Sequence, residues 1–373
     1  MSPVEFIFAG DLILDEPDPD HWLRGIAGVV SAADISIGHL EVPHTTHKHE
    51  AIGDVPAPGS DPAHVPALKR AGFRAVSLAG NHLADCGPEG IRDTIAALTT
   101  SGIRHAGAGM NLEEATAPAL LTSAEHCVAL LSYNCVGPEW SWASERGAGC
   151  AYIRVEAANG APITPAAPLE RANRDSLAFM AAQIVAARRT ADVVIVSLHK
   201  GIVHTPAKLA PYERPVAQAA IDAGADIVIC HHAHIVRGIE VYRGRPVFHG
   251  LGNGCVVTRA LSPDQSRGSD EAKKARAAWA QKRRQLFGFE PDPAYYLAPF
   301  HPEAINGMLG RVRLDARGFH AGFVPLHVEP PGRPTIAQNE TARGVIDYIE
   351  RITTAAGLAA IGTRYDGQCA WLT

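Results

Sequence analysis

The stretch AAIDAGADIVICHHAHIVRGIEVYRGRPVFHGLGN, residues 219–253, decides how the rest of the chain is read. It opens on the tail of an amphipathic helix predicted over Tyr212–Ala223, which Gly224 is placed to end. A short Val/Ile run, Ile227–Cys230, then stops at His231-His232-Ala233-His234, and a further apolar run, Pro246–His249, follows. Helix, strand and strand in this order predict an α/β unit. Consecutive imidazoles at a buried strand end are hard to satisfy by packing alone, so they mark a site.

The same alternation continues in both directions. Strands are predicted at Val4–Ala9, Ile35–Gly38, Ala75–Leu78, Cys127–Tyr133 and Val193–Leu198, with helices over Pro88–Thr100 and Arg174–Arg188. Pro88 suits a first helical turn and Gly102 a helix end. There is no internal repeat. The pattern predicts a layered α/β fold with a substantial sheet.

Five strand ends carry polar residues: Gly10-Asp11, Gly38-His39-Leu40-Glu41, Gly80-Asn81-His82 with Asp85 just beyond, His199-Lys200-Gly201, and His231–His234. Carboxyl ends of strands in open α/β sheets converge on one crevice. Carboxylates, an amide and imidazoles without a thiolate suit a hard or borderline divalent cation. His44, His47 and His49 fall in a polar loop and are expected to be solvated. His204, His249 and His301 are further candidates to line the crevice.

Composition sets the outer limits. The chain has 373 residues, 46% hydrophobic and 20% charged, which excludes a disordered chain. A formal charge of −5 gives no electrostatic case for nucleic acid. No apolar run approaches the roughly 18 residues that cross a bilayer, and MSPVEFIFAGDL has no features of a signal peptide. Seven scattered cysteines without a C-x-x-C pair fit a reducing cytosol, so the expected location is cytoplasmic. Three parts are expected: a catalytic core over 1–257, a charged helical insertion or lid over 258–293 (DEAKKARAAWAQKRRQ), and a C-terminal part, 294–373, completing the same domain with a helix over Thr341–Ala356.

Taken together, GDLIL, LEVP, AGNHLADCGPEGI, HKG and the opening stretch resemble the CapA-type branch of the calcineurin-like metallophosphoesterase superfamily, named for poly-γ-glutamate capsule synthesis. The similarity runs from about residue 4 to 256, and FHPEAINGM near His301 shares it. The resemblance implies two mixed β-sheets sandwiched between helices in four layers, with a metal site at the strand ends. It implies metal ligands at Asp11, Glu41, Asn81, His199, His232 and His234, and an acid–base histidine at His82.

Two departures refine this expectation. The phosphoesterase pattern has a histidine two residues after the first aspartate, where this chain has Ile13, and Glu41 stands for the usual bridging aspartate. One ion, Ca²⁺ or Mn²⁺, is therefore expected rather than two.

The sequence also resembles CapA-like proteins of ribosomal-peptide pathways, in particular the lasso-peptide epimerases. The expected activity is inversion of Cα at a peptide's C-terminal residue. Asp11, His82, Asp85, His232 and His234 are candidates for acid–base work, since a carboxylate fixes an imidazole's tautomer and raises its basicity. The alternatives are a metal-dependent phosphoesterase or hydrolase, and capsule-type γ-glutamyl amide chemistry. The expected partner is a peptide held by its C-terminal end, with Lys200, Arg237 or Arg243 as candidate carboxylate clamps and Trp140 and Trp142 as a candidate groove wall.

Overall fold

The computed structural model describes residues 3–48, 50–51, 57–123, 126–165, 167–260, 270–271, 273–275, 277–278, 285 and 288–373. Two mixed sheets lie face to face. The first runs Gly318–Glu329, Asn306–Asp315, Val4–Leu14, Ile35–Leu40, Ala75–Ser77, Arg104–Ala106, with further strands at its C-terminal side. The second runs Ile239–Tyr242, Arg245–Phe248, Ile227–His231, Val193–His199, His126–Asn134, Ala119–Ser123. Inner strands pair in parallel and outer hairpins antiparallel, so both sheets are mixed.

Strands buried on both faces need near-continuous apolar runs, and those runs supply three layers of core. Phe6, Phe8, Ile35 and Ile37 of the first sheet meet Leu130, Ile195, Ile229 and Phe248 of the second. On the outer face of the first sheet, Ile7 and Leu12 pack with Leu23, Ile26 and Val30 of the helix Pro19–Ala32. On the outer face of the second, Val194, Val196 and Val228 pack with Met180 and Ile184 of the helix Arg174–Arg188 and Val216 of the helix Glu213–Asp222. The order helix, sheet, sheet, helix is the four-layer architecture expected.

The helix Asn339–Ala355 adds Val345, Ile349 and Ile352 to the inter-sheet core. It lies one or two residues from the predicted Thr341–Ala356. The C-terminal strand Asn306–Asp315 pairs antiparallel with Val4–Phe8, so residues 294–373 complete the first sheet. Of the predicted excursion 258–293, residues 270–271, 273–275, 277–278 and 285 are helical. Residues 261–269 and most of 279–287 lie outside the described residues, as does His49. Among the described residues no helix is long and apolar enough to cross a membrane.

One irregularity positions the site. The first strand was predicted to end at Ala9, with Gly10-Asp11 beyond it, but it continues to Leu14. Its partner on one side changes from Gly310–Leu314 to Asn253–Val257 at Asp11, and its register with Ile35–Leu40 shifts between Phe8 and Asp11. Gly10 permits this: a Cβ there would lie 1.9 Å from the Gly252 carbonyl oxygen, whose partner is Asp11 N–H at 2.9 Å. Such a bulge re-aims a side chain, here the Asp11 carboxylate.

Candidate metal centre

Asp11 sits where the two sheets' strand ends meet. Its carboxylate lies 3.6 Å from His231 Nδ1, 3.6 Å from His234 Nδ1 and 3.5 Å from the His232 backbone N–H. Glu41, one residue beyond its strand, faces His234 Nε2 at 3.3 Å. His199 Nε2 lies 2.7 Å from Asn81 Oδ1 and 3.1 Å from His232 Nδ1. His82 donates from Nδ1 to Asp85 Oδ2 at 2.8 Å, and Asp85 also accepts the Ala57 N–H at 3.1 Å. Asp11, Glu41, Asn81, His82, Asp85, His199, His232 and His234 thus converge from five strands.

Two observations test whether these residues fit a cation. Asp11 Oδ2, both Glu41 carboxylate oxygens, His39 Nε2, His199 Nδ1, both nitrogens of His231 and His232 Nε2 are buried without a hydrogen-bond partner. Buried polar atoms normally have partners, and a cluster of orphaned lone pairs of this size is what a cation satisfies. The donors also form two groups whose ligand atoms lie within 4.8 Å of one another: Asp11–His39–His199 and Asp11–Glu41–His234. The residues fit a divalent ion of the hard or borderline kind.

Electrostatics of the protein without an ion point the same way. Burial, then the neighbouring Glu41, raises Asp11 well above the usual carboxylate range. Burial alone would raise Glu41 too, but the charge of His234, 3.3 Å away, overcomes it and holds Glu41 at about 2. Burial would lower His234, yet Glu41 and Asp11 hold it at about 9. Burial lowers His39 to about 4 and His232 to about 3, so both keep free lone pairs at neutral pH. His232 (φ 87°) and His234 (φ 52°) also occupy left-handed backbone, a strain that non-glycine residues adopt where surrounding structure imposes it, most often at functional sites.

Three contributors carry no ligand role in the sequence reading. His39 reads as one of the polar residues at a strand end, and the observed strand runs past it to Leu40. His231 precedes the two histidines that the resemblance selects. Asn253, in a Gly-rich stretch, accepts from His234 Nδ1 at 3.0 Å, which turns His234 Nε2 toward Glu41.

Other expectations need correction. His44 is fully buried, with Nδ1 3.2 Å from the Val42 carbonyl, rather than solvated; His47 is exposed as expected. Lys200 and Arg237 are no carboxylate clamps: both are fully buried and bind Glu213, at 2.8 and 2.7 Å. Arg243 is exposed and pairs with Asp222. Trp142 stacks on Tyr152 at 4.1 Å and Trp140 is solvent-exposed. His249 belongs to the Lys200 and Glu240 network.

The chain returns to the centre after its excursion. The Phe300 ring stacks on His234 at 4.6 Å, and His204 lies over the same imidazole at 6.1 Å. Beside Asn253 a cavity of about 250 Å³ is walled by Tyr295, Phe300, His301, Ile305 and Val328.

With this geometry in view, residues 5–256 match the family of the bacterial capsule synthesis protein PGA_cap. The chain belongs to this family. Among PGA_cap relatives, a probable polyglutamine synthesis accessory protein of Mycobacterium tuberculosis is 34% identical over 60% of this chain and 56% of that protein. The capsule biosynthesis protein CapA of Bacillus anthracis is 29% identical over 51% of this chain and 41% of that protein. The chain therefore spans about half the length of these curated relatives. A solved calcineurin-like phosphoesterase, YfkN of Bacillus subtilis, pairs with 94% of this chain and 97% of its own at 11% identity and a TM-score of 0.37. At that distance the layer order of this PGA_cap protein rests on its own strand pairing.

Proposed function

We propose that this PGA_cap-family chain is a metal-dependent peptide epimerase that inverts Cα of the C-terminal residue of a ribosomally made, lasso-type precursor peptide. The carrying observation is that His82, beside the cation cluster, and His301, in the wall of the cavity next to Asn253, are held in opposite tautomers. His82 gives its Nδ1 proton to Asp85, so Nε2 carries a lone pair. His301 accepts the Glu303 N–H at Nδ1, so its neutral ring, which burial favours, carries its proton on Nε2. One imidazole is set to take a proton and the other to give one, as inversion at carbon requires. Hydrolysis beside a cation needs only one such group.

A divalent ion held by Asp11, Glu41 and His234, Ca²⁺ or Mn²⁺ by its donor set, would supply positive charge against the substrate carboxylate and the enolate that develops from it. His82 Nε2 then takes the Cα proton, and the C–H electron pair passes into the enolate. His301 Nε2–H returns a proton to the opposite face, and the imidazolate it leaves regains a proton from solvent as the His82 imidazolium gives its proton up. One proton is taken and one given, and no oxidant enters. Asp85 fixes His82 and stabilises the imidazolium it becomes. Tyr295, Phe300, Ile305 and Val328 wall the cavity with carbon, which excludes water from the carbanion.

The test is incubation of the Mn²⁺-loaded full chain with a candidate peptide in heavy water. The expected result is deuterium at the C-terminal Cα and a D-residue by chiral analysis, with the peptide bond intact. His301→Ala should retain exchange into an L-substrate yet lose inversion, whereas His82→Ala should lose both. Cleaved peptide without Cα deuterium overturns the reading. Family membership favours a second reading, γ-glutamyl amide chemistry. Under it, poly-γ-glutamate would be shortened or extended by the same preparation. Release of p-nitrophenol from an aryl phosphate would instead favour a phosphoesterase.

A further inference from the structure

The sequence pattern leaves one ligand position empty at Ile13, and Ile13 is unfit for the role: it packs with Val42, Val256 and Phe300 in a separate apolar cluster. Directly across the parallel ladder from Asp11, however, stands His39. It is fully buried and its ring lies 4.6 Å from His199 and 4.7 Å from His231. Its Nδ1 is 2.9 Å from Ser77 Oγ, and that hydroxyl's single proton goes to the Gly38 carbonyl at 3.4 Å. With the hydroxyl proton on the Gly38 carbonyl, Ser77 accepts from His39, and the imidazole then carries its proton on Nδ1 and a lone pair on the unpartnered Nε2. Fixing the tautomer from behind in this way is how proteins orient a metal-binding histidine.

We propose that His39 supplies the ligand missing at position 13, making Asp11–His39–His199 an inner divalent-cation site beside the Asp11–Glu41–His234 site, with Asp11 shared between two ions. Donor atoms of the inner group lie within 4.8 Å of one another, and His39 Nε2 and His199 Nδ1 have no other partner. His231, with both ring nitrogens unpartnered, closes a further side at 3.6 Å from Asp11 Oδ1. The chain also keeps the space open. A Cβ at Gly80 would stand 3.0 Å from His39 Nε2 and 3.5 Å from His199 Cε1, against the lone pair the ion needs. This inference rests on the metal-binding part of the proposed function and is independent of epimerisation.

The experiment counts ions. The full chain is stripped with chelator, dialysed against Mn²⁺, and bound metal is measured per chain, with free Mn²⁺ followed by its EPR signal. The wild type should bind two ions. His39→Ala should bind one, or hold the second at least about tenfold more weakly. Gly80→Ala removes no ligand and should also lose the inner ion; it decides the question if circular dichroism shows His39→Ala unfolded. A wild type that saturates at one ion overturns the proposal, as do two ions of unchanged affinity in a folded variant. Two His39-dependent ions in a protein that exchanges no Cα proton would sink the epimerase reading and leave this one standing.

Discussion

Glu213→Gln should destabilise the protein well beyond an ordinary surface change, and in a pH-dependent way. Glu213 is fully buried and accepts from Lys200 Nζ at 2.8 Å, Arg237 Nη1 at 2.7 and 2.9 Å, and the Ala210 N–H at 2.7 Å. Burial raises its carboxyl, but Lys200 and Arg237 overcome burial and hold it at about 2 against an ordinary 4.5. At roughly 1.4 kcal/mol per decade this makes the ionised carboxylate contribute on the order of 3 kcal/mol. A carboxyl depressed in the folded state contributes fully above pH 4.5, and its contribution is lost as pH falls toward 2. Glutamine leaves two buried cations uncompensated, a defect that costs about 3–5 kcal/mol. Urea unfolding of both proteins should show that gap at pH 7 and its steady narrowing from pH 4.5 to 3. The consequence reaches the centre, because Arg237 also donates to the carbonyls of Thr205 and Lys208, flanking the segment that lays His204 over His234. A gap under 1 kcal/mol at pH 7, or one unchanged at pH 3, would refute the reasoning.

Three further outcomes follow from the site. Mn²⁺ at a hundred times its dissociation constant should raise the unfolding free energy by about 2.7 kcal/mol, read as a melting shift that EDTA reverses; no shift means the orphaned donors hold no Mn²⁺. Asp85→Asn should slow Cα exchange by at least about 100-fold while bound metal stays at the wild-type count, since Asp85 orients His82 and belongs to neither donor group. Gly10→Ala forces a methyl to within 1.9 Å of the Gly252 oxygen and should cost at least about 3 kcal/mol, with weaker metal uptake because Asp11 moves; calorimetry and metal analysis together check it.

What the sequence disclosed, and what it hid, follow one physical line. Apolar runs with a defined period report on local structure, so the predicted strand and helix cores agree with the observed ones to within a few residues at most ends. Gly10-Asp11 was placed beyond a strand end because nothing local announces the partner that lets the strand continue; Asn253–Val257 arrives from some 240 residues away. The strands Asn306–Asp315 and Gly318–Glu329 were missed for the same reason, their alternation being interrupted by glycines whose neighbours are in other strands. Site residues at strand ends were legible since polar groups there contrast with the run before them. His39 was legible as a polar strand-end residue but not as a donor, because only the pairing of the folded sheet lays Asp11 beside it. His44 failed in the opposite sense, looking solvated within a polar loop that folds inward.

The division between the family-matched and unmatched parts of the chain bears on where specificity lies. Every donor of the centre falls within residues 5–256, the span shared with the PGA_cap family. Most of the cavity wall, including Tyr295, Phe300, His301, Ile305 and Val328, falls beyond it. A cation site tolerates few changes in its donors, whereas an apolar wall can change residue by residue without disturbing the ion. The family match therefore covers the donors of the centre and leaves most of the cavity wall outside it. Phe300 joins the two parts, stacking on His234 from the unmatched side and carrying His301 next to it. Phe300→Ala should then alter peptide binding and Cα exchange while metal count stays unchanged, and equal loss of metal and peptide would show that the wall and the centre are one structural unit.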